Sequence, residues 1–157
     1  LAHYDFNLPG AYSYEEALEV IRKLVTRDVR SSLEQQFRRT VFNVIGRNQD
    51  DHTKNISFLM SKSGNWDLSP AYDLTYSYNP KGGYTSKHQM SVNGKRDDFT
   101  REDLIEFGLK ADLTKSKSNK IVAEIKDVFE RWDTYADQAG VPQAHVNKVV
   151  KGLRLDI

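Results

Sequence analysis

Cysteine is absent from this 157-residue chain. Disulfides and thiolate metal sites are therefore excluded, and no oxidising compartment is needed. Long apolar runs are lacking too. None exceeds four residues, where a membrane-spanning helix needs about 20. No charged segment leads into an apolar one as in a secretory leader. Charge of one sign is also missing: 23 Lys and Arg stand against 22 Asp and Glu, a net +1. That balance argues against a globally basic nucleic-acid binder and against a polybasic membrane-surface module. Proline is scarce, at four residues, and no Gly/Ser linker divides the chain. What is present is enough to fold. Leu, Ile, Val and Phe make up 39 residues, about 25% of the chain and above the roughly 20% below which disorder is the default. The first residue is Leu, which reads as the start of a piece of something longer.

Residues 1–13 carry two Tyr, one Phe and a Pro-Gly pair without periodicity, and read as an extended lead-in packed on the rest. Ser13 with Glu16 three residues on forms a capping-box pattern. Leu18, Ile21, Leu24 and Val25 continue at helical spacing, so a helix is predicted over about 14–26. A second, over about 28–45, has Asp28 as N-cap and the stripe Leu33, Phe37, Val41, Val44 and Ile45. Its Arg30, Glu34, Arg38 and Arg39, with Arg27 ahead of it, read as a solvated face. Residues 56–60 and 66–68 flank a Gly-containing turn, the signal of a β-hairpin. Residues 75–86 read as a mobile Tyr/Gly/Ser loop. The segment His88–Val92 alternates as a strand would, and Asn93-Gly94 is a tight-turn pair. Helices follow: a short one from Thr100 stopped by Gly108, a long one near 114–138 ended at Gly140, and a last one with Pro142 at its first position. Trp66 and Trp132 are assigned to the core. The result is a mainly α domain with a small β-hairpin region.

The informative stretch is residues 46–55, ten polar or glycine residues in a row. Asp50 and Asn55 lie five apart within it. Kinase-type phosphoryl transfer needs a carboxylate that orients the attacking hydroxyl, and an amide five residues on that holds Mg²⁺. A second carboxylate must come from a separate hairpin. Asp73, in Tyr72-Asp73-Leu74 just past the predicted hairpin, is that candidate. One carboxylate and one amide, completed by water and phosphate, suit Mg²⁺. The Asp-x-x-x-x-Asn spacing alone is common. The order of polar loop, hairpin, lone Asp and Tyr-rich loop is more specific. The four histidines, His3, His52, His88 and His145, show no zinc spacing.

The fuller string Asn48-x-Asp50-Asp51-His52-x-Lys54-Asn55, followed by Leu68-Ser69-Pro70-Ala71-Tyr72-Asp73-Leu74, closely resembles the C-terminal lobe of HipA-like kinases. So do Gly10-x-Tyr12-Ser13-Tyr14 and the run Gln89–Arg96. The resemblance covers about residues 9–135. It implies a kinase C-lobe of the HipA or phosphatidylinositol-kinase-like type, part of a serine/threonine kinase that is the toxin of a toxin–antitoxin module. By position, Asp50 resembles the catalytic base, and Asn55 and Asp73 the Mg²⁺ ligands that engage ATP. His52 and Lys54 match the motif's histidine and lysine, with His52 expected to shape the loop. Asp51 falls where the family pattern tolerates small or acidic residues, and no catalysis is expected from it. The resemblance also implies a HipB-like helix-turn-helix antitoxin partner, contact with DNA only through that partner, cytoplasmic action, and a protein substrate such as an aminoacyl-tRNA synthetase. A nucleotide-binding lobe would precede residue 1; its Gly-rich phosphate loop and strand-borne lysine are not in this sequence. Alone, the chain is expected to transfer phosphate poorly. Two other readings remain: a non-catalytic C-lobe remnant that binds a partner protein, and a metal-dependent phosphodiesterase using Asp50, Asp51, His52 and Asp73.

Overall fold

The computed structural model describes residues 4–157, so His3 and the first residues of the lead-in lie outside it. Among the described residues, six α-helices and one two-stranded sheet make up the fold. The first helix, α1, spans Tyr14–Leu24. Its capping box forms as the sequence predicts: the Glu16 amide donates to Ser13 Oγ at 3.2 Å, and the Ser13 amide donates to Glu16 Oε2 at 2.7 Å. Both bonds satisfy amides that a helix start otherwise leaves open. Helix α2 spans Val29–Ile45, and Asp28 accepts from the Ser31 amide at 2.9 Å. Its whole predicted apolar stripe is buried.

Helix α2 is the axis of the core. Phe37 packs on Phe107 of α3 (Arg101–Lys110) with ring centroids 6.0 Å apart, and Tyr14 meets Phe107 edge-on at 6.2 Å. Thr100 and Asp103 cap α3 reciprocally. Gly108 does not stop this helix, contrary to the sequence reading; α3 runs two residues past it. A Cβ there would lie 2.1 Å from Ser118 Oγ and 3.2 Å from the Phe37 ring. The glycine therefore lets α3 approach α4 (Lys115–Glu130) closely.

The long predicted helix is two helices. It breaks at Arg131, and α5 covers Trp132–Gln138. The break rotates which face turns inward. Val128 and Tyr135, both apolar residues within the single predicted helix, stay exposed, while Ala136 is buried. Trp66 and Trp132 are only half-buried. Helix α5 ends in a Schellman pattern, with the Gly140 amide donating to the Asp137 carbonyl and the Val141 amide to the Ala136 carbonyl. Helix α6 covers Gln143–Gly152, with Pro142 one position earlier than predicted, as N-cap.

The hairpin pairs β1 (Phe58–Met60) with β2 (Trp66–Leu68) antiparallel, Phe58 opposite Leu68 and Met60 opposite Trp66. The predicted strand at 88–92 does not form. Its alternation is explained by single bridges, Ser91 to Ser13 and Val92 to Lys95, and by burial of His88, Gln89, Met90 and Val92. The Asn93-Gly94 turn is present, with both residues at positive φ (50° and 75°). Among the described residues no helix is long and apolar enough to cross a membrane.

Candidate catalytic site

Helix α2 delivers the polar loop. The helix closes with Arg47 in the left-handed region (φ 55°) and the Asn48 amide reaching back to the Asn43 carbonyl at 3.0 Å. The chain then pairs with the segment after the hairpin. The Gln49 amide donates to the Ser77 carbonyl at 3.2 Å, and the Ser77 amide to the Arg47 carbonyl at 3.0 Å. The buried Asn48 side chain donates to Asn43 Oδ1 at 3.1 Å and to the Asp73 carbonyl at 3.0 Å. One amide thus ties the start of the loop to the residue expected to bring the second carboxylate.

A short 3-10 turn over Thr53–Asn55 folds the loop back on itself. There the Asn55 side-chain amide donates to the Asp50 carbonyl at 3.0 Å. The spacing of five is what allows this closure. It commits Nδ2 inward and leaves Oδ1 as a free hard oxygen. Asp73 is exposed and sits at φ 55°, a conformation that Asp tolerates better than most side chains. His52, Asn55 and Asp73 line one small cavity of about 20 Å³, together with Asn48 and Arg39. The donor set fits Mg²⁺ in part: one amide oxygen and one carboxylate, with water and phosphate oxygens left to complete the octahedron. Among the described residues no group of three or more His, Cys, Asp or Glu could hold a metal. A phosphodiesterase with a closed metal site therefore finds no donor set in them.

The remaining candidates are dispersed around that cavity. Asp50 is half-buried and does not line it. Its carboxylate makes no hydrogen bond among the described residues, so it is available to a hydroxyl. The negative charges of Asp50 and Asp51 add to burial in pushing the Tyr84 phenol upward, which places Tyr84 near the carboxylates. The Tyr84 hydroxyl donates to the Phe6 carbonyl at 3.0 Å. His52 meets the Phe6 ring edge-on at 5.1 Å, and its Nδ1 is buried without a partner. Lys54 is exposed, with its ammonium 3.8 Å above the Phe6 ring. The lead-in therefore packs directly on the loop.

Three features escaped the sequence reading. Arg39 is not on a solvated face: it is half-buried, donates to the Ser69 carbonyl at 2.5 Å, and keeps two further buried nitrogens unpartnered. Burial holds its guanidinium below the usual value. Gln89 clamps the loop, with its amide 3.1 Å from the Gln49 carbonyl and 3.0 Å from that of Lys87. Asp51 is fully buried and accepts three bonds of 2.7 Å, from the Tyr14 hydroxyl, His88 Nδ1 and the Gln89 amide. Burial first, and then the Asp51 charge, raise the Tyr14 phenol well above its ordinary value. The sequence placed Asp51 in the loop motif, but nothing in it signalled these buried partners.

The mainly helical fold thus presents a loop aspartate, an amide folded back on that aspartate's carbonyl and a second aspartate from beyond the hairpin. The chain belongs to the HipA-like C-terminal domain family, whose model matches residues 2–151. A Haemophilus influenzae protein named "Putative kinase" is 26% identical over 162 residues, covering 90% of this chain and 46% of that protein. A solved chain from the Shewanella oneidensis MR-1 toxin–antitoxin complex of HipA, HipB and operator DNA superposes with a TM-score of 0.63. It is 21% identical over 94% of this chain and 31% of its own length, which shows the shared fold. The chain thus spans less than half the length of these relatives.

Proposed function

We propose that this chain is the C-terminal catalytic lobe of a HipA-like protein kinase that transfers the ATP γ-phosphate to a protein serine or threonine. The observation that carries the reading is the shared cavity. Asn55 and Asp73 come from separate elements, yet both line it, and Asn55 is bonded back to Asp50. In this reading Asn55 Oδ1 and the Asp73 carboxylate hold Mg²⁺ with ATP, which neutralises charge on the transferred phosphoryl group. Asp50 accepts the proton of the attacking hydroxyl. Asn48 keeps the Asp73 backbone beside the loop. His52 shapes the loop through its packing on Phe6, and Lys54 is held at the rim.

The HipA–HipB–DNA neighbour supports a HipB-like helix-turn-helix antitoxin as partner, with DNA reached only through it. The toxin role, cytoplasmic action and an aminoacyl-tRNA synthetase as substrate belong to the same proposal. The test uses the full-length protein with γ-labelled ATP and Mg²⁺. Label should pass to protein in the wild type and be lost in Asp50→Ala and Asp73→Ala. Transfer that survives either substitution overturns the role given to that residue, and a wild type that transfers no label overturns the reading in favour of a non-catalytic remnant.

A further inference from the structure

The buried contacts of Asp51 continue beyond it. His88, which is fully buried, faces Asp51 with Nδ1 at 2.7 Å and Arg154 with Nε2, 3.0 Å from Nη1. A guanidinium can only donate. Nε2 must therefore accept, and the imidazole proton sits on Nδ1, aimed at Asp51. Arg154 is itself 5% exposed and tightly held. Its Nη1 donates to the Val44 carbonyl at 2.8 Å, its backbone amide to the Ile45 carbonyl at 3.0 Å, and its Nη2 to Asp97. Arg47, beside the loop, donates to the same Asp97 oxygen at 3.3 Å and to the Gly152 carbonyl at 2.8 Å.

We propose that Arg154 is a positioning residue for the catalytic loop, acting through the tautomer of His88 on Asp51. This rests on the reading of Asp50 as the base. Both Asp51 oxygens are engaged: Oδ2 by Tyr14 and His88, Oδ1 by the Gln89 amide. The preceding peptide carbonyl, that of Asp50, receives Asn55. Fixing Asp51 therefore fixes the direction in which Asp50 projects and the face that Asn55 shows to a cation. Without the Arg154 donor, the His88 proton is free to move to Nε2. Nδ1 would then present a lone pair to a carboxylate, and the loop would lose an anchor. A reacting group held about 1 Å out of place loses as much as about 100-fold in rate.

The test uses the full-length protein with labelled ATP, together with two-bond ¹⁵N–¹H spectra of the ¹⁵N-histidine-labelled protein, His88→Asn serving to assign the signal. Wild-type His88 should show the Nδ1–H tautomer alone, and Arg154→Met should show a mixture. Arg154→Met should lower kcat by about 10- to 100-fold with the KM for ATP unchanged within about twofold. His88→Ala should lose as much. His88→Asn, whose amide can still donate to Asp51, should recover most of that loss. In the His88→Asn background, Arg154→Met should add no further loss, whereas a merely structural role would make the two losses multiply. Wild-type His88 protonated on Nε2, or on both nitrogens, overturns the inference even if Arg154→Met fails to fold. So do multiplying losses, or an unchanged kcat in Arg154→Met with an active wild type. An inert wild type is a different result: it overturns the kinase reading itself.

Discussion

Asp50 and Asp51 are adjacent in the chain and opposite in circumstance. The Asp50 carboxylate has no hydrogen-bond partner among the described residues and is half-open to solvent. The Asp51 carboxylate is sealed from solvent and satisfied by a phenol, an imidazole and a backbone amide. One side chain stays unbonded, and its neighbour is spent on holding the loop. A buried charge is tolerable only when paired and hydrogen-bonded in this way, whereas a half-open one can change partners within a reaction cycle. The same division separates the two flanks of the site. Asn55 and Asp73 present free oxygens, while Asn48, His88 and the Gln89 side-chain nitrogen are spent on the protein itself.

Substitutions can break that contrast or sharpen it. The largest effect is expected at Asp50. Asp50→Ala should lower phosphoryl transfer by the roughly 10²–10⁴-fold that a general base contributes, with the melting temperature nearly unchanged. Asp51→Ala should do the reverse in kind, destabilising the full-length protein by about 1–3 kcal/mol for each buried donor left unsatisfied, measured by urea unfolding. It leaves Tyr14 and His88 without their acceptor. If the two variants show the same mixture of losses, the contrast is wrong.

Acidification probes the outer end of the buried chain. Burial alone would raise the Asp97 carboxyl, but Arg154 and Arg47 outweigh it and hold the group below its usual range. A carboxyl depressed by folding contributes stability above its unfolded pKa of about 3.9. That contribution is lost as pH falls through the folded value. Wild type should therefore lose stability below about pH 4, and Asp97→Asn should remove that part of the acid limb, in urea titrations at stepped pH. The smallest stability effect is expected for Asp73→Asn. Asn also accepts the left-handed backbone, so unfolding should move by no more than about 0.5 kcal/mol, while transfer of label falls sharply.

Features that depend on near neighbours were legible in the sequence. Ser13 with Glu16, Thr100 with Asp103, the Asp28 cap and the Asn93-Gly94 turn each act within a few residues. The closure of Asn55 on the Asp50 carbonyl is equally local, but the sequence reading did not anticipate it. The loop candidates were legible by spacing and resemblance, and the structure brings His52, Asn55 and Asp73 to one cavity while leaving Asp50 and Lys54 outside it.

The misses share a cause in distance. Gly108 reads as a helix stop until α4 arrives and makes its missing Cβ a packing requirement. Val128 and Tyr135 fit a single helical stripe, but both stay exposed, and the break at Arg131 puts Tyr135 on a separate helix. Arg39 has the composition of a solvated face and the location of a support beneath Ser69. No local pattern announces that Asp51, His88 and Arg154 meet, because their contacts span 37 and 66 residues of chain.

That long separation has a consequence in time. The Arg154 guanidinium reaches back 110 residues to the carbonyl of Val44. On a ribosome adding about 5–20 residues per second, the catalytic loop emerges many seconds before the arginine that anchors its neighbour. During that interval the loop is a nascent segment without its lock. Ribosome-bound chains stalled before residue 154 should accordingly leave the segment around Asp51 open to protease, and chains stalled well beyond it should protect it. The geometry of the site is thus completed late in synthesis, by a residue that lies far from it in the sequence.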